Sequence, residues 1–244
     1  MPTKPLNRPE QEKYSRQTVL QEIGVAGQEK LKRSKIIIIG VGALGTHTAE
    51  LLARAGVGQI TLVDADIVEA SNIQRQALFT EQDIGQKKAV VAGKAIRKIN
   101  SLITINVITQ LVDEKNINTI KELQKATLII DGTDNFTARF LVNDFCKKKK
   151  IPWIYASCVA TSGYVMPVFP EGPCLRCFLK EGSVDSVCTS GILNTLPSVI
   201  GSLQATLAIK MIVGEKVEPF LTFYDGWKSR LERIKVIKKC GFCL

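Results

Sequence analysis

Short β-branched runs alternating with helical stretches predict a doubly wound α/β fold, a mainly parallel sheet continued by antiparallel strands. Three observations carry this. Lys35-Ile-Ile-Ile-Ile-Gly40 is an apolar run closed by glycine, the pattern of a buried parallel strand entering a turn. Ala43 to Ala55 has helical spacing and stops at Gly56, and Gln59 to Asp64 (QITLVD) reads as the next strand. The strand–helix alternation then repeats as far as Ala156, which makes a parallel sheet the natural architecture.

In chain order, a polar N-terminal arm (residues 1–17) precedes a helix from about Thr18 to Lys32 and the first strand–helix–strand unit. A helix from Lys87 to Ile99, a strand from Ile103 to Ile108, a helix from Asn116 to Lys125 and the strand Ala126 to Asp131 (ATLIID) follow. The helix Phe136 to Lys149 leads into the strand Trp153 to Ala156. From Ser157 the texture changes, with Gly, Pro and Cys punctuating extended pieces such as Ser162 to Phe169. A long apolar helix, Leu196 to Val213, comes before two antiparallel strands, Leu221 to Asp225 and Arg230 to Ile237. No repeat or low-complexity linker interrupts the chain, so residues 18–244 read as one domain, with a nucleotide-binding part over about 34–156 and a second part over about 157–244.

Composition agrees. A chain of 244 residues, 45% hydrophobic and 23% charged, has enough length for a sizeable core. One large domain is the default, two small ones the fallback. No apolar run reaches the roughly 18 to 20 residues of a bilayer span, and MPTKPLNRPEQEKYSRQ lacks the apolar block of a secretory signal, so a cytoplasmic protein with no membrane partner is expected. A net charge of +10 invites a nucleic-acid reading, yet the basic residues are scattered. The one tight run, Lys147 to Lys150, falls where a helix ends and its cations complement the helix dipole. The charge is read instead as attraction for a nucleotide or an acidic partner protein.

Gly40-Val-Gly42-Ala43-Leu-Gly45 is a G-x-G-x-x-G between strand and helix, the Rossmann-like arrangement in which phosphate approaches backbone N–H groups at a helix N-terminus. Asp64 ends the next strand 19 residues after Gly45, the place from which a carboxylate bonds a ribose hydroxyl. The same fingerprint serves NAD and FAD, and a hydride-transfer enzyme needs a proton donor; the single histidine, His47, reads better as a helix residue. The stretch from Asp64 through Asp66, Ser71, Asn72, Gln74, Arg75 and Gln76, with Lys88 beyond it and Gly132-Thr-Asp134-Asn135 after the fourth strand, adds more. Arg75 and Lys88 could clamp a triphosphate and Asp134 could hold Mg²⁺, at the C-terminal edge of the sheet where open α/β folds bind ligands.

Seven cysteines include two Cys-x-x-Cys pairs, Cys174 with Cys177 and Cys240 with Cys243. Four soft thiolates in two such pairs suit closed, structural tetrahedral zinc that clips the C-terminus onto the middle of the domain. Cys146 and Cys158 read as packing residues.

Taken in order, Tyr14-Ser-Arg16-Gln17, the glycine loop, Ser71-Asn-Ile-Gln-Arg75-Gln76, Lys88, Thr133-Asp134-Asn135, the cysteine pairs and Gly201-Ser-Leu-Gln204-Ala resemble the ThiF/MoeB/HesA family, prokaryotic relatives of ubiquitin-activating enzymes. The resemblance runs from about Tyr14 to Cys243. It implies an adenylyltransferase: with ATP and Mg²⁺ bound at the glycine loop, the C-terminal carboxylate of a ubiquitin-like sulfur carrier ending in Gly-Gly attacks the α-phosphate and releases pyrophosphate. It further implies that Asp64 takes the ribose, that Asn72, Arg75 and Lys88 take the phosphates, that Asp134 organises the metal, and that Arg16 reaches into the neighbouring site of a homodimer.

Cys188, in Val187-Cys-Thr-Ser-Gly191, matches the place where thiamine-branch members carry a sulfur-transferring cysteine able to attack the acyl-adenylate; the alternative is a structural or merely exposed thiol. The surroundings of Cys188 and Tyr224-Asp-Gly-Trp227-Lys resemble the thiamine branch rather than the molybdopterin branch. Ala43 stands where the family often has glycine, which is tolerable if its φ is negative. With no rhodanese domain after Leu244, a separate sulfur-donor protein is expected. Three competing readings stay open at this point: a tRNA-modifying dehydratase of the same superfamily, a nicotinamide dehydrogenase, and a non-catalytic zinc-stabilised binding module.

Overall fold

The computed structural model describes residues 5–179, 191–237 and 240–243; Cys188 lies outside them. Among the described residues, eight strands form one sheet: β1 Lys35–Ile39, β2 Gln59–Val63, β3 Thr104–Ile108, β4 Leu128–Asp131, β5 Trp153–Val159, β6 Ser162–Val168, β7 Phe220–Asp225 and β8 Arg230–Lys235, in the order β3-β2-β1-β4-β5-β6-β7-β8. From β3 to β5 all pairs are parallel, and from β5 to β8 all are antiparallel, as the sequence predicts.

Strand β1 is apolar on both faces because both are covered. Ile36 and Ile38 join a core with α4 (Ala43–Arg54), α5 (Lys88–Ile99) and α7 (Leu196–Val213), while Ile37 and Ile39 join another with α6 (Phe136–Lys149) and the turns carrying Ile117 and Leu123. After β1 the chain builds β2 and β3 on one side, then returns to place β4 on the other. The strand order therefore reverses between β1 and β4, the crevice where doubly wound sheets bind ligands.

Among the described residues, α7 is the one helix long and apolar enough to cross a membrane. It packs against α4, β5, β6 and α3 (Gly24–Arg33). Its Gln204 is fully buried, donating to the carbonyls of Asp131 (2.8 Å) and Ile154 (3.1 Å) and accepting from Thr48 Oγ1 (2.7 Å). Its exposed residues, Ser202, Thr206 and Lys210, recur every four positions and form a narrow polar stripe on a helix otherwise turned toward its neighbours.

Two expected helices differ. The Thr18–Lys32 helix is broken: α1 (Arg8–Lys13) and α2 (Ser15–Thr18) precede a turn, and α3 begins at Gly24, whose φ of +59° interrupts helical backbone. The arm is also docked, with Glu10 buried against Lys32 (2.7 Å) and the Tyr14 hydroxyl accepting from Asn100 Nδ2 (2.8 Å). The Asn116–Lys125 helix is replaced by turns and a 3₁₀ segment, Leu123–Lys125. Asp113 accepts from the N–H groups of Lys115 and Asn116, and Asn116 donates to the Leu111 carbonyl, local bonds that compete with a helical ladder.

Candidate nucleotide site and cysteine cluster

The loops after β1 and β4 meet at three glycines. Gly40 has φ +88°, and a Cβ there would lie 2.4 Å from the Gly132 carbonyl oxygen; one on Gly132 or Gly45 would lie 2.2 or 2.0 Å from the Gly40 oxygen. Only glycine permits this crossing. Gly42 differs, since a Cβ there would meet only Gln76 Nε2, at 3.9 Å. It is the N-cap of α4 and supplies no side-chain cap, so the N–H groups of the first turn face open space, an anion cradle. Ala43 opens the helix and is not among the residues of positive φ, so the missing glycine costs nothing in backbone strain.

Asp64 closes the cradle on the β2 side. Its Oδ2 accepts from Val41 N (2.6 Å) and its Oδ1 from Asp66 N (2.7 Å), leaving lone pairs for a ribose hydroxyl. Burial pushes its carboxyl up, against the pull of those donors and of Lys88. Lys88, 8% exposed, holds its ammonium 3.0 Å from the exposed Asp66 carboxylate. Asn72 is buried and accepts from Glu69 N (3.1 Å), Arg75 donates to the Ser71 carbonyl (2.7 Å), and Ser71 and Gln74 are exposed on the same turn. Two side chains of α4 hold this turn: Thr46 Oγ1 accepts from Ala77 N (3.2 Å), and His47 bonds the Arg75 main chain. His47 also meets Ser198 Oγ (3.2 Å), and burial depresses its pKa.

Asp134 is exposed just beyond the glycine crossing and accepts from Asn135 Nδ2 (3.2 Å); Asn135 caps α6 through Ala138 N (2.8 Å). Arg16 stands apart. It is exposed on α2, whose Gln17 bonds the Ala55 carbonyl at the far end of α4, and twelve helical residues place that end about 18 Å from the glycine loop.

The four paired cysteines come together. Cys174 Sγ is 3.7 Å from Cys240 Sγ, and Cys177 Sγ lies 3.5 Å from Cys240 and 3.9 Å from Cys243. A tetrahedron of Zn–S bonds of about 2.3 Å has edges of about 3.8 Å, so the donor set fits zinc, and the separations are far too long for disulfides. Helix α6 braces the cluster: Asn143 accepts from Leu175 N (2.9 Å), and Asp144 pairs with Arg176 (2.7 Å). Lys147 donates to the carbonyls of Phe169, Pro170 and Gly172 (3.3, 2.6 and 3.0 Å). Lys147 is therefore a latch on the loop before Cys174, beyond the dipole role expected of the lysine run. Cys146 and Cys158 are buried, and burial raises both thiols, as suits packing residues.

The match to the ThiF family covers residues 14–243. This chain belongs to the ThiF family. It is 40% identical over 228 residues to the sulfur carrier protein ThiS adenylyltransferase of Bacillus subtilis, covering 91% of this chain and 67% of that protein. It is 34% identical over 229 residues to the SAMP-activating enzyme E1 of Haloferax volcanii, covering 91% and 84%. Among solved structures, Escherichia coli MccB with ATP superposes with a TM-score of 0.83 at 25% identity, over 95% of this chain and 74% of that one.

In this ThiF-family chain a buried ion pair that belongs to none of the motifs also shapes the site. Asp131, at the end of β4, and Arg139 of α6 are both sealed, with Arg139 Nε 3.6 Å from Asp131 Oδ2. Both grip Thr133: Asp131 Oδ1 accepts from its N (2.9 Å) and Oγ1 (2.6 Å), and Arg139 Nη2 donates to its carbonyl (2.8 Å). Asp134 is the next residue, so this pair sets the turn that presents it. The signal was available, since a carboxylate ends the strand beside the switch point.

Proposed function

We propose that this chain is a cytoplasmic, ATP-dependent adenylyltransferase that activates the C-terminal Gly-Gly carboxylate of a ubiquitin-like sulfur carrier of the thiamine-pathway type. The observation that carries the reading is the convergence at one sheet edge of an uncapped helix N-terminus at Gly42, the carboxylate of Asp64, the ammonium of Lys88 and the Asp134 turn. Similarity to an enzyme named for adenylating ThiS supports the choice of carrier.

In this reading Asp64 accepts a ribose hydroxyl, the α4 N-terminus seats a phosphoryl group, and Asn72, Arg75 and Lys88 neutralise the remaining phosphate charge. Lys88 is half-prepared for that: its ammonium is already desolvated and held by Asp66, a partner exposed enough to turn away. A carrier carboxylate oxygen attacks the α-phosphorus; a bond to phosphorus forms, the bond to the bridging oxygen of pyrophosphate breaks, and the products are acyl-adenylate and pyrophosphate. The protein's contribution is positioning and charge, as no side chain need form a covalent bond in this step. Mg²⁺, when bound, supplies positive charge for the leaving pyrophosphate, and the carboxylate of Asp134 is the hard ligand that suits it. Zinc in the four-cysteine cluster is structural, since four thiolates leave no open position. Arg16 serves a second copy of the chain, because its own site is a helix length away. Sulfur arrives from a separate donor protein.

ATP–pyrophosphate exchange by the purified chain with Mg²⁺, with and without carriers ending in Gly-Gly, tests this. Exchange that requires one carrier and disappears in Asp134→Ala supports the reading and names the carrier; its absence with every carrier, in a folded zinc-bound chain, overturns it.

A further inference from the structure

Gln76 lies outside every role assigned so far. It is 5% exposed, and its Oε1 is sealed from solvent with no hydrogen-bond partner. Its main chain is fixed: Gln76 N donates to the Asn72 carbonyl (3.1 Å), Phe79 N donates to the Gln76 carbonyl (3.3 Å), and Ala77 N is held by Thr46 (3.2 Å). The side chain thus has a set direction, and its Nε2 is the one atom that a Cβ on Gly42 would approach, at 3.9 Å.

Two independent features therefore face each other. Gly42 is the glycine of the loop that no neighbouring backbone requires, and the space its missing Cβ leaves is bounded by an amide whose other end is orphaned. A sealed acceptor without a partner is a net cost to the folded chain, and an apolar side chain of the same shape would avoid it. The amide is worth keeping if Nε2 gains a charged acceptor when the site is filled.

We propose that Gln76 is a further nucleotide-binding residue, its Nε2–H donating to an oxygen of the phosphoryl group seated on the α4 N-terminus. The assignment rests on the ATP reading above. Because the contact is to phosphate, it discriminates ATP from adenosine and does not touch the base or the ribose.

The test is titration calorimetry of the full chain with ATP plus Mg²⁺ and with adenosine, alongside thermal melting, for wild type, Gln76→Met and Gln76→Glu. Gln76→Met keeps the volume and removes the orphaned acceptor, so it melts at or above the wild-type temperature while ATP binds about tenfold or more weakly and adenosine binds unchanged. Gln76→Glu puts a carboxylate against the phosphoryl oxygens and weakens ATP further. ATP affinity within twofold of wild type in both variants overturns the assignment, as does a loss shared equally by ATP and adenosine, which would make the amide structural. Should Gln76→Met fail to fold, the glutamate variant decides by the same two ligands. A wild-type chain that binds no ATP overturns the nucleotide reading itself, and this assignment with it.

Discussion

Asp64 answers to two demands at once, since it accepts the Val41 and Asp66 amides and is half-buried beside Lys88. Because burial raises its pKa, it takes up a proton at a pH above the ordinary aspartate range near 3.9, and the ribose-accepting form is lost earlier on acidification. The KM for ATP should therefore rise as pH falls toward that raised pKa, and Asp64→Asn should flatten that limb of the profile; a limb unchanged in the variant would assign it elsewhere. Asp131 answers to a different demand. Asparagine there leaves the Arg139 guanidinium buried without its counter-charge, at a cost of about 3–5 kcal/mol in urea unfolding. Combining Asp131→Asn with Arg139→Met should recover part of that loss, because no charge is then stranded.

Helix α6 links the two sites, with Asn135 beside Asp134 at its N-terminus and Lys147 latching the cysteine loop near its C-terminus. Lys147→Met removes a charged donor from three carbonyls and should lower stability by about 2 kcal/mol or more, with weaker retention of zinc measured against a chromophoric chelator. Lys149→Ala, on the exposed surface, should change stability by less than about 0.5 kcal/mol. At this scale the strands and the helices α4, α5, α6 and α7 were legible because each is an apolar run or a helically spaced stretch with clear stops, such as the Ile36–Ile39 run or Gly214 after α7. The 116–125 segment was not: Ile117, Ile120 and Leu123 bury one face at a three-residue spacing that fits turns as well as a helix, and the Asp113–Asn116 bonds decide between them. Of the site, the cysteines, the glycine loop and Asp64 were legible as motifs. The grip of Thr46 and His47 on the Arg75 turn was not, because its partners lie far apart in the chain, 31 residues for Thr46 and Ala77; the nearby Asp131–Arg139 pair belongs to no motif, and its only mark in the sequence is a carboxylate at the end of a strand.

The placement of Arg16 belongs to the whole molecule, because no motion within one compact chain shortens the length of α4. Arg16→Ala and Asp134→Ala should each abolish pyrophosphate exchange, and mixing the two inactive proteins should restore about a quarter of the wild-type activity, the share of sites in randomly assorted dimers that keep both groups. No recovery, with subunit exchange demonstrated, would place Arg16 outside the reaction. The cysteine cluster has its own consequence at this scale. Cys174 and Cys240, 3.7 Å apart in space, are 66 residues apart in sequence, and the stretch between them includes α7, β7 and β8. Closing a ring of that size removes chain entropy from the unfolded state worth about 4 kcal/mol by the same reckoning used for a disulfide. With a metal bound at the four cysteines, the last third of the protein is a tethered ring rather than a tail. After a protease cut inside that ring the metal still joins the two pieces when their packing is undone, so parting them takes a chelator as well as denaturant.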